Sequence, residues 1–278
     1  MKKHILLLLT ILLIAVFGCE QPVQTSIEYP ASEVFKHDWA MDKIWEDGQA
    51  EVAHYDAEMI VYGKVRKFDN AYITVKEEFN EDFNVKTNDY NRDDLFSVMK
   101  VNKFGSFETE NYPYHYLTSI FFKRDKPEQL HKMTHTGQEW CGNTFKQFEL
   151  TPTGYAYDYN SYFDGYGDGR MTIEGTGLIW EDQLSYLLRA TKFADGLKFS
   201  KQVVGGQINT KTRTPEVFNA EFTVSDQDSV WHVQTLLEEG KVNTYTFDKA
   251  YPNLLQTQTT WYGYNLKLNR VSRYQYWR

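Results

Sequence analysis

Two cysteines in 278 residues leave no room for a disulfide framework. Cys19 closes an N-terminal apolar run that reads as an export signal, so Cys141 has no internal partner and stability must come from packing. Basic residues are also short, 30 Lys and Arg against 38 Asp and Glu for a formal net charge of −8. No basic run offsets that balance, which argues against nucleic acid, since its binding needs clustered Lys and Arg to displace counterions. The familiar catalytic signatures H-E-x-x-H, G-x-S-x-G, C-x-x-C and the P-loop are absent, and no cofactor is expected. A glycosidase-type carboxylate pair is defined by spacing in three dimensions, so that class stays open.

What is present begins at the N-terminus. Lys2 and Lys3 precede the apolar stretch 5–17, and the small residue Gly18 stands directly before Cys19, the layout of a signal peptide and its processing site. As a helix the stretch would be only about 20 Å long, short of the roughly 30 Å hydrocarbon core, so a permanent span is not expected. Val16-Phe17-Gly18-Cys19 resembles a lipobox, with Val16 and Phe17 where Leu and Ala or Ser are usual. Residues 1–18 are therefore expected to be removed and Cys19 to carry the acyl chains. Two or three chains exceed the one-chain limit for stable anchoring, each buried methylene adding about 0.8 kcal/mol. Glu20 is not the Asp that retains many such proteins at the inner membrane, so the outer membrane is expected. Residues 19–31, polar and containing Pro22 and Pro30, read as a tether, and 32–278 as one β-rich domain.

Aromatics make up 16% of the chain, and Tyr and Phe suit a pleated, half-buried surface. A helix is expected over 32–48, with Ser32 as N-cap, Phe35, Trp39 and Ile44 as its apolar side and Gly48 as its stop. From Ala50 the period becomes two. A hairpin is expected with Phe68-Asp69-Asn70 as its turn and 71–79 as the return strand, followed by a charged loop over 80–94. Further strands are expected at 95–104, 114–122, 131–140, 155–162, 197–204, 218–224, 230–237 and 242–247, with two more within 254–277. One internal helix is expected over 178–190, where Trp180, Leu184, Leu187 and Leu188 share a face. Glu181, Asp182 and Arg189 there suit the helix dipole. The expected fold is mainly β: a large curved antiparallel sheet, a half-barrel or incomplete barrel, with one packed internal helix and an N-terminal one.

Several short features invite chemistry. Asp164 to Gly169 has the glycine spacing of a calcium loop, but Tyr166 takes the third ligand position and Gly175 stands where the bidentate Glu belongs, so a hairpin turn is the better account. His131 and His135 would share a helix face as zinc ligands do. On a regular strand they lie about 13 Å apart on one face, too far for one ion. Cys141 has no base placed beside it by sequence and is expected to be a buried, inert thiol in a strand.

The strings 45–55 (WEDGQAEVAHY), 101–121 with Tyr112-Pro113-Tyr114, 138–142 (QEWCG), 161–168 and 273–277 resemble an uncharacterised family of exported bacterial lipoproteins over most of the mature chain. Members are sometimes called septum formation inhibitor Maf. The nucleotide pyrophosphatases properly so named begin with a basic Ser-Pro-Arg-Arg type motif on an α/β fold, and this chain has neither. The resemblance implies no catalytic or metal-binding residues. More distantly, a curved sheet with a helix against it is similar to half-barrel lipoprotein carriers, whose concave face can hold an acyl chain. The function expected is non-enzymatic binding of a hydrophobic small molecule or partner by a protein held on the bilayer through acylated Cys19. The alternatives are a tethered hydrolase of envelope glycan or lipid and a structural component of an envelope complex.

Overall fold

The computed structural model describes residues 27–28 and 34–278. The expected signal peptide, Cys19, the rest of the tether and Ser32 lie outside the described residues. The strands are β1 (Ile27–Glu28), β2 (Ala50–Val61), β3 (Lys64–Asn80), β4 (Val85–Lys86), β5 (Leu95–Glu108), β6 (Pro113–Lys123), β7 (Leu130–Glu139), β8 (Gly142–Thr151) and β9 (Gly154–Ser161) in the first half. They continue as β10 (Gly169–Glu174), β11 (Ile179–Trp180), β12 (Leu197–Val204), β13 (Val217–Gln227), β14 (Val230–Glu238), β15 (Lys241–Asp248), β16 (Leu255–Thr259) and β17 (Asn265–Tyr274).

All seventeen belong to one sheet. Consecutive strands pair antiparallel from β12 to β17; β17 then pairs with β2, and the meander runs on through β3 and β5 to β10. The β17–β2 seam joins the two halves of the chain by nine paired positions across one bulge. β1 and β11 each add two residues parallel to β12 at that margin. Among the described residues β10 and β12 do not pair, so the sheet is curved but open. Residues 175–178 carry the chain across the gap between its margins.

Alternation sets the inner face. Ala53, Tyr55, Ala57 and Met59 of β2 are buried, as are Met99, Val101 and Phe107 of β5, because successive side chains of a strand point to opposite faces. Against this face lies the helical segment 181–190, built of a 3-10 turn (Glu181–Gln183), one α turn (Leu184–Leu187) and a second 3-10 turn (Leu188–Ala190). Leu184, Leu187 and Leu188 pack into the cluster formed by β2 and β12–β17. Trp180, Tyr186 and Ala190 pack into a second cluster with Met99, Phe122, Met133 and Phe148. The segment thus fills the concavity from both sides: the void against its Ser185, Tyr186 and Arg189 measures only about 10 Å³, room for one water at most, and a second void of that size lies farther along the sheet among Met59, Phe107, Tyr116 and Tyr264. Arg189 ties it to β2 through a bidentate, buried pair with Glu51, 2.8 and 2.9 Å. The helix dipole expected to use Arg189 is not its main partner.

Three sequence expectations change. The first hairpin turns at Tyr62-Gly63, and β3 runs unbroken through Phe68, Asp69 and Asn70. Both turn residues have positive φ, 53° and 71°, the type I′ geometry that matches strand twist, which Gly63 adopts without strain. In place of one helix over 32–48, the described part holds two short 3-10 turns, Trp39–Met41 and Lys43–Glu46. Their tryptophans pack on Tyr186 and Tyr251 instead of forming a helix stripe. Finally, Cys141 is not in a strand. It forms the β7–β8 turn with Trp140, and it is exposed, its Sγ 3.2 Å from the Tyr112 hydroxyl.

Candidate functional site at the mouth of the sheet

The hairpin tips at 62–63, 140–141 and 260–264 and the segment 205–216 gather at one end of the sheet, because β2, β7, β12 and β16 run in the same sense. Segment 205–216 leaves β12 and crosses this mouth. Thr144 donates to the carbonyl of Thr210 (3.4 Å), Arg213 reaches the Tyr166 hydroxyl (3.3 Å) and stacks over its ring, and Thr214 touches Met171. The segment so bridges the unpaired margins.

Buried ionisable groups pin its root. Gly206 N–H donates to Glu181 Oε2 (2.9 Å) and Gln207 N–H to Asp182 Oδ2 (2.8 Å). Lys146, fully buried on β8, donates to the carbonyl of Gln207 (2.9 Å) and to Asn209 Oδ1 (3.1 Å). Lys103 donates to the carbonyl of Asp182 (2.6 Å) and to Ser185 (2.9 Å). Burial pushes Lys146 down to about 7 and Lys103 to about 8, because desolvation disfavours the charged amine. The same cause pushes Glu181 up to about 7, against the hydrogen bond from Asn243 (2.7 Å) that favours its carboxylate. Asn243 also accepts from Trp261 N–H (3.0 Å), which couples the 260–264 turn to Glu181.

Between the crossing segment and the β2–β3 and β16–β17 tips opens a cleft of about 700 Å³. One wall is apolar and aromatic, with Met59, Tyr62, Phe218, Trp261 and Tyr262 among its residues; the crossing segment adds polar groups such as Asn209, Thr210 and Arg213, and Glu181 lies at the floor. Gly206 lets the backbone approach that floor: a Cβ there would meet the Tyr262 hydroxyl at 3.2 Å and Glu181 Oε2 at 3.4 Å. A shallower hollow of about 900 Å³ lies where β16 and β17 share only two paired positions. None of the buried ionisable groups at the root of segment 205–216 lines it.

The residues singled out by sequence do not converge on this cleft. A bulge at His131 shifts the β6–β7 register. His131 therefore faces outward on Phe79 and Phe96, bonded to Asn84 Oδ1 (2.7 Å), while His135 faces inward beside Thr118 (2.9 Å) and Tyr116. The two imidazoles point to opposite faces, a stronger bar to shared metal than the spacing on one face. Burial, with Lys123 and Lys132 nearby, pushes His131 down to about 4, and burial holds His135 well below the usual range. Among the described residues no group of three or more His, Cys, Asp or Glu could hold a metal ion. Residues 162–168 form the β9–β10 turn, where Asn160 donates to Asp168 (2.6 Å). Glu181, Asp182 and Lys146 were missed as site residues. The available signal was the long polar connection 205–216, well beyond the usual few residues between strands.

No protein-family model matches the chain, and no curated protein does so either. Among solved structures it is similar to a β-barrel-like protein of the domain of unknown function DUF1849 from Brucella abortus. That match has 9% identity over 81% of this chain and 98% of the other, with a TM-score of 0.49. A DUF1089 family protein from Pseudomonas aeruginosa matches at 12% identity over 56% of this chain and 82% of the other, with a TM-score of 0.39. Among the described residues no helix is long and apolar enough to cross a membrane.

Proposed function

We propose that this chain is a non-enzymatic envelope lipoprotein that takes up an amphipathic small molecule in the mouth cleft while acylated Cys19 holds it on the outer membrane. The cleft carries the reading: about 700 Å³ falls in the range of small-molecule sites, and apolar walls over a few polar groups are their usual lining. The filled concavity moves the ligand from the interior, where a half-barrel carrier would hold it, to the rim. Ile27 pairs with Leu197, at the end of β12 remote from the cleft. Native mass spectrometry of the gently purified lipoprotein should find a co-purified ligand that is lost in Trp261→Ala. An empty protein, or a ligand unaffected by that change, would refute the reading. For the anchor, Cys19→Ala should leave the precursor poorly processed and move the protein from the detergent to the aqueous phase. Normal processing with retained detergent partitioning would place the anchor elsewhere.

Glu181 supports one second reading. A carboxyl poised near neutrality at a cleft floor suits a general acid, as a tethered hydrolase would need. Turnover of chromogenic esters or glycosides that disappears in Glu181→Gln would favour it over binding alone.

A further inference from the structure

Glu181 differs from the other buried ions of the domain in one respect. Arg189 is matched by Glu51, and Asp182 lies in the field of Lys103 and Lys146. Both oxygens of Glu181 instead accept from neutral donors, Asn243 Nδ2 and Gly206 N–H. Among the described residues no basic side chain comes within ion-pair distance of it, although it is only 5% exposed. A buried carboxylate without a counter-ion is costly, and a cation delivered to it from the cleft would meet a field little weakened by solvent.

The walls point the same way. Five aromatic rings line the cleft, and ring faces attract cations, more strongly where water is excluded. Phe218 and Trp261 already take a cation, since Lys241 Nζ lies 4.7 and 4.8 Å from their ring centroids. The basic residues of the lining do not reverse the sign. Lys211 and Arg213 stand exposed on the rim, where salt screens them, and Arg213 is engaged by Tyr166. Outside the lining, Lys241 is the basic residue whose field reaches Glu181, but it makes no contact with it and is itself paired with Glu216 and Glu238.

We propose that the mouth cleft selects ligands bearing an organic ammonium group, which Glu181 receives at the floor among Tyr62, Tyr116, Phe218, Trp261 and Tyr262. This rests on the cleft being the binding site. It adds the charge and chemical class of the ligand: a primary to quaternary amine on an apolar body, not a carboxylate or phosphate.

The test uses three small probes of similar shape and different charge: choline, its neutral carbon isostere 3,3-dimethylbutan-1-ol, and anionic 2-hydroxyethanesulfonate. Each is titrated calorimetrically into the full-length lipoprotein in phosphatidylglycerol nanodiscs, with empty discs as blank. Choline should bind at least ten-fold more tightly than the alcohol, and the sulfonate most weakly. Glu181→Gln, which keeps an acceptor for Asn243, should remove the preference for choline and leave the alcohol unchanged. Should that variant melt early, Trp261→Ala replaces it: the residue is 44% exposed, and loss of its ring should weaken choline several-fold. Equal affinity for all three probes, a preference for the sulfonate, no binding, or choline binding indifferent to both substitutions would overturn the ammonium assignment. A co-purified ligand still lost in Trp261→Ala would then show that the binding reading survives without it.

Discussion

Replacing Leu187 by alanine separates a core helix from a mobile lid. Leu187 is fully buried and belongs to the cluster that joins segment 181–190 to β2 and β12–β17. The change removes three carbons from a site walled by strands of one continuous sheet, which cannot close inward without breaking ladder hydrogen bonds. The cost should therefore sit in the upper part of the range for buried leucines, about 3 to 5 kcal/mol. The gain in helix propensity offsets only a few tenths of that. In a domain of this size such a loss lowers the melting temperature by roughly 10 °C. Urea denaturation followed by tryptophan fluorescence would read the stability change, and native mass spectrometry the ligand content. A large loss of stability is expected, with ligand content unchanged at temperatures below the transition. A loss of about 0.5 kcal/mol or less, as at a surface position, would mean that the segment does not pack through this face, and the filled-concavity description would fail.

Glu51→Gln leaves Arg189 charged and buried without its counter-ion and should cost about 3 to 5 kcal/mol, whereas joint replacement of both by methionine should cost much less; equal losses would deny the pair its isolation from water. Lys146 gives a pH signature. Its folded-state value, near 7 because of burial, lies below that of the unfolded chain, so the unfolded state binds more protons above neutrality. Stability from this group then rises with pH between about 7 and 10, by up to about 1.4 kcal/mol per unit. Lys146→Met should flatten that rise in chemical denaturation curves, and an unaltered slope would contradict the buried-lysine description. Cys141, exposed in the β7–β8 turn, should react with a chromogenic disulfide before any denaturant is added; protection until unfolding would contradict its placement.

Much of the fold was legible because the strands follow simple alternation, and β12 has the bounds its sequence suggests. The misses have physical causes. β8 was passed over because its inward positions include Lys146 while Phe145 points outward, so its alternation reads inverted. The β2–β3 turn was misplaced because Tyr62 holds a positive φ that its side chain does not advertise. Burial was inferred for Cys141 from residue type, but the two-residue turn puts it in solvent. The cleft was the least legible part. In the sequence Glu181 and Asp182 read only as acids suited to a helix start, and their role depends on a segment some twenty-five positions later folding back over them. Such long-range pairings leave no local pattern.

A chain that fills its own concavity must hold ligand at the mouth. Photoaffinity labelling tests this most directly, with a trimethylammonium amphiphile carrying a diazirine on its alkyl chain and peptide mapping by mass spectrometry. Adducts are expected on 59–62, 205–218 and 260–262, reduced by Trp261→Ala. Adducts concentrated on 184–188, or on inward residues of β5 to β8, would show a ligand inside the sheet and contradict it.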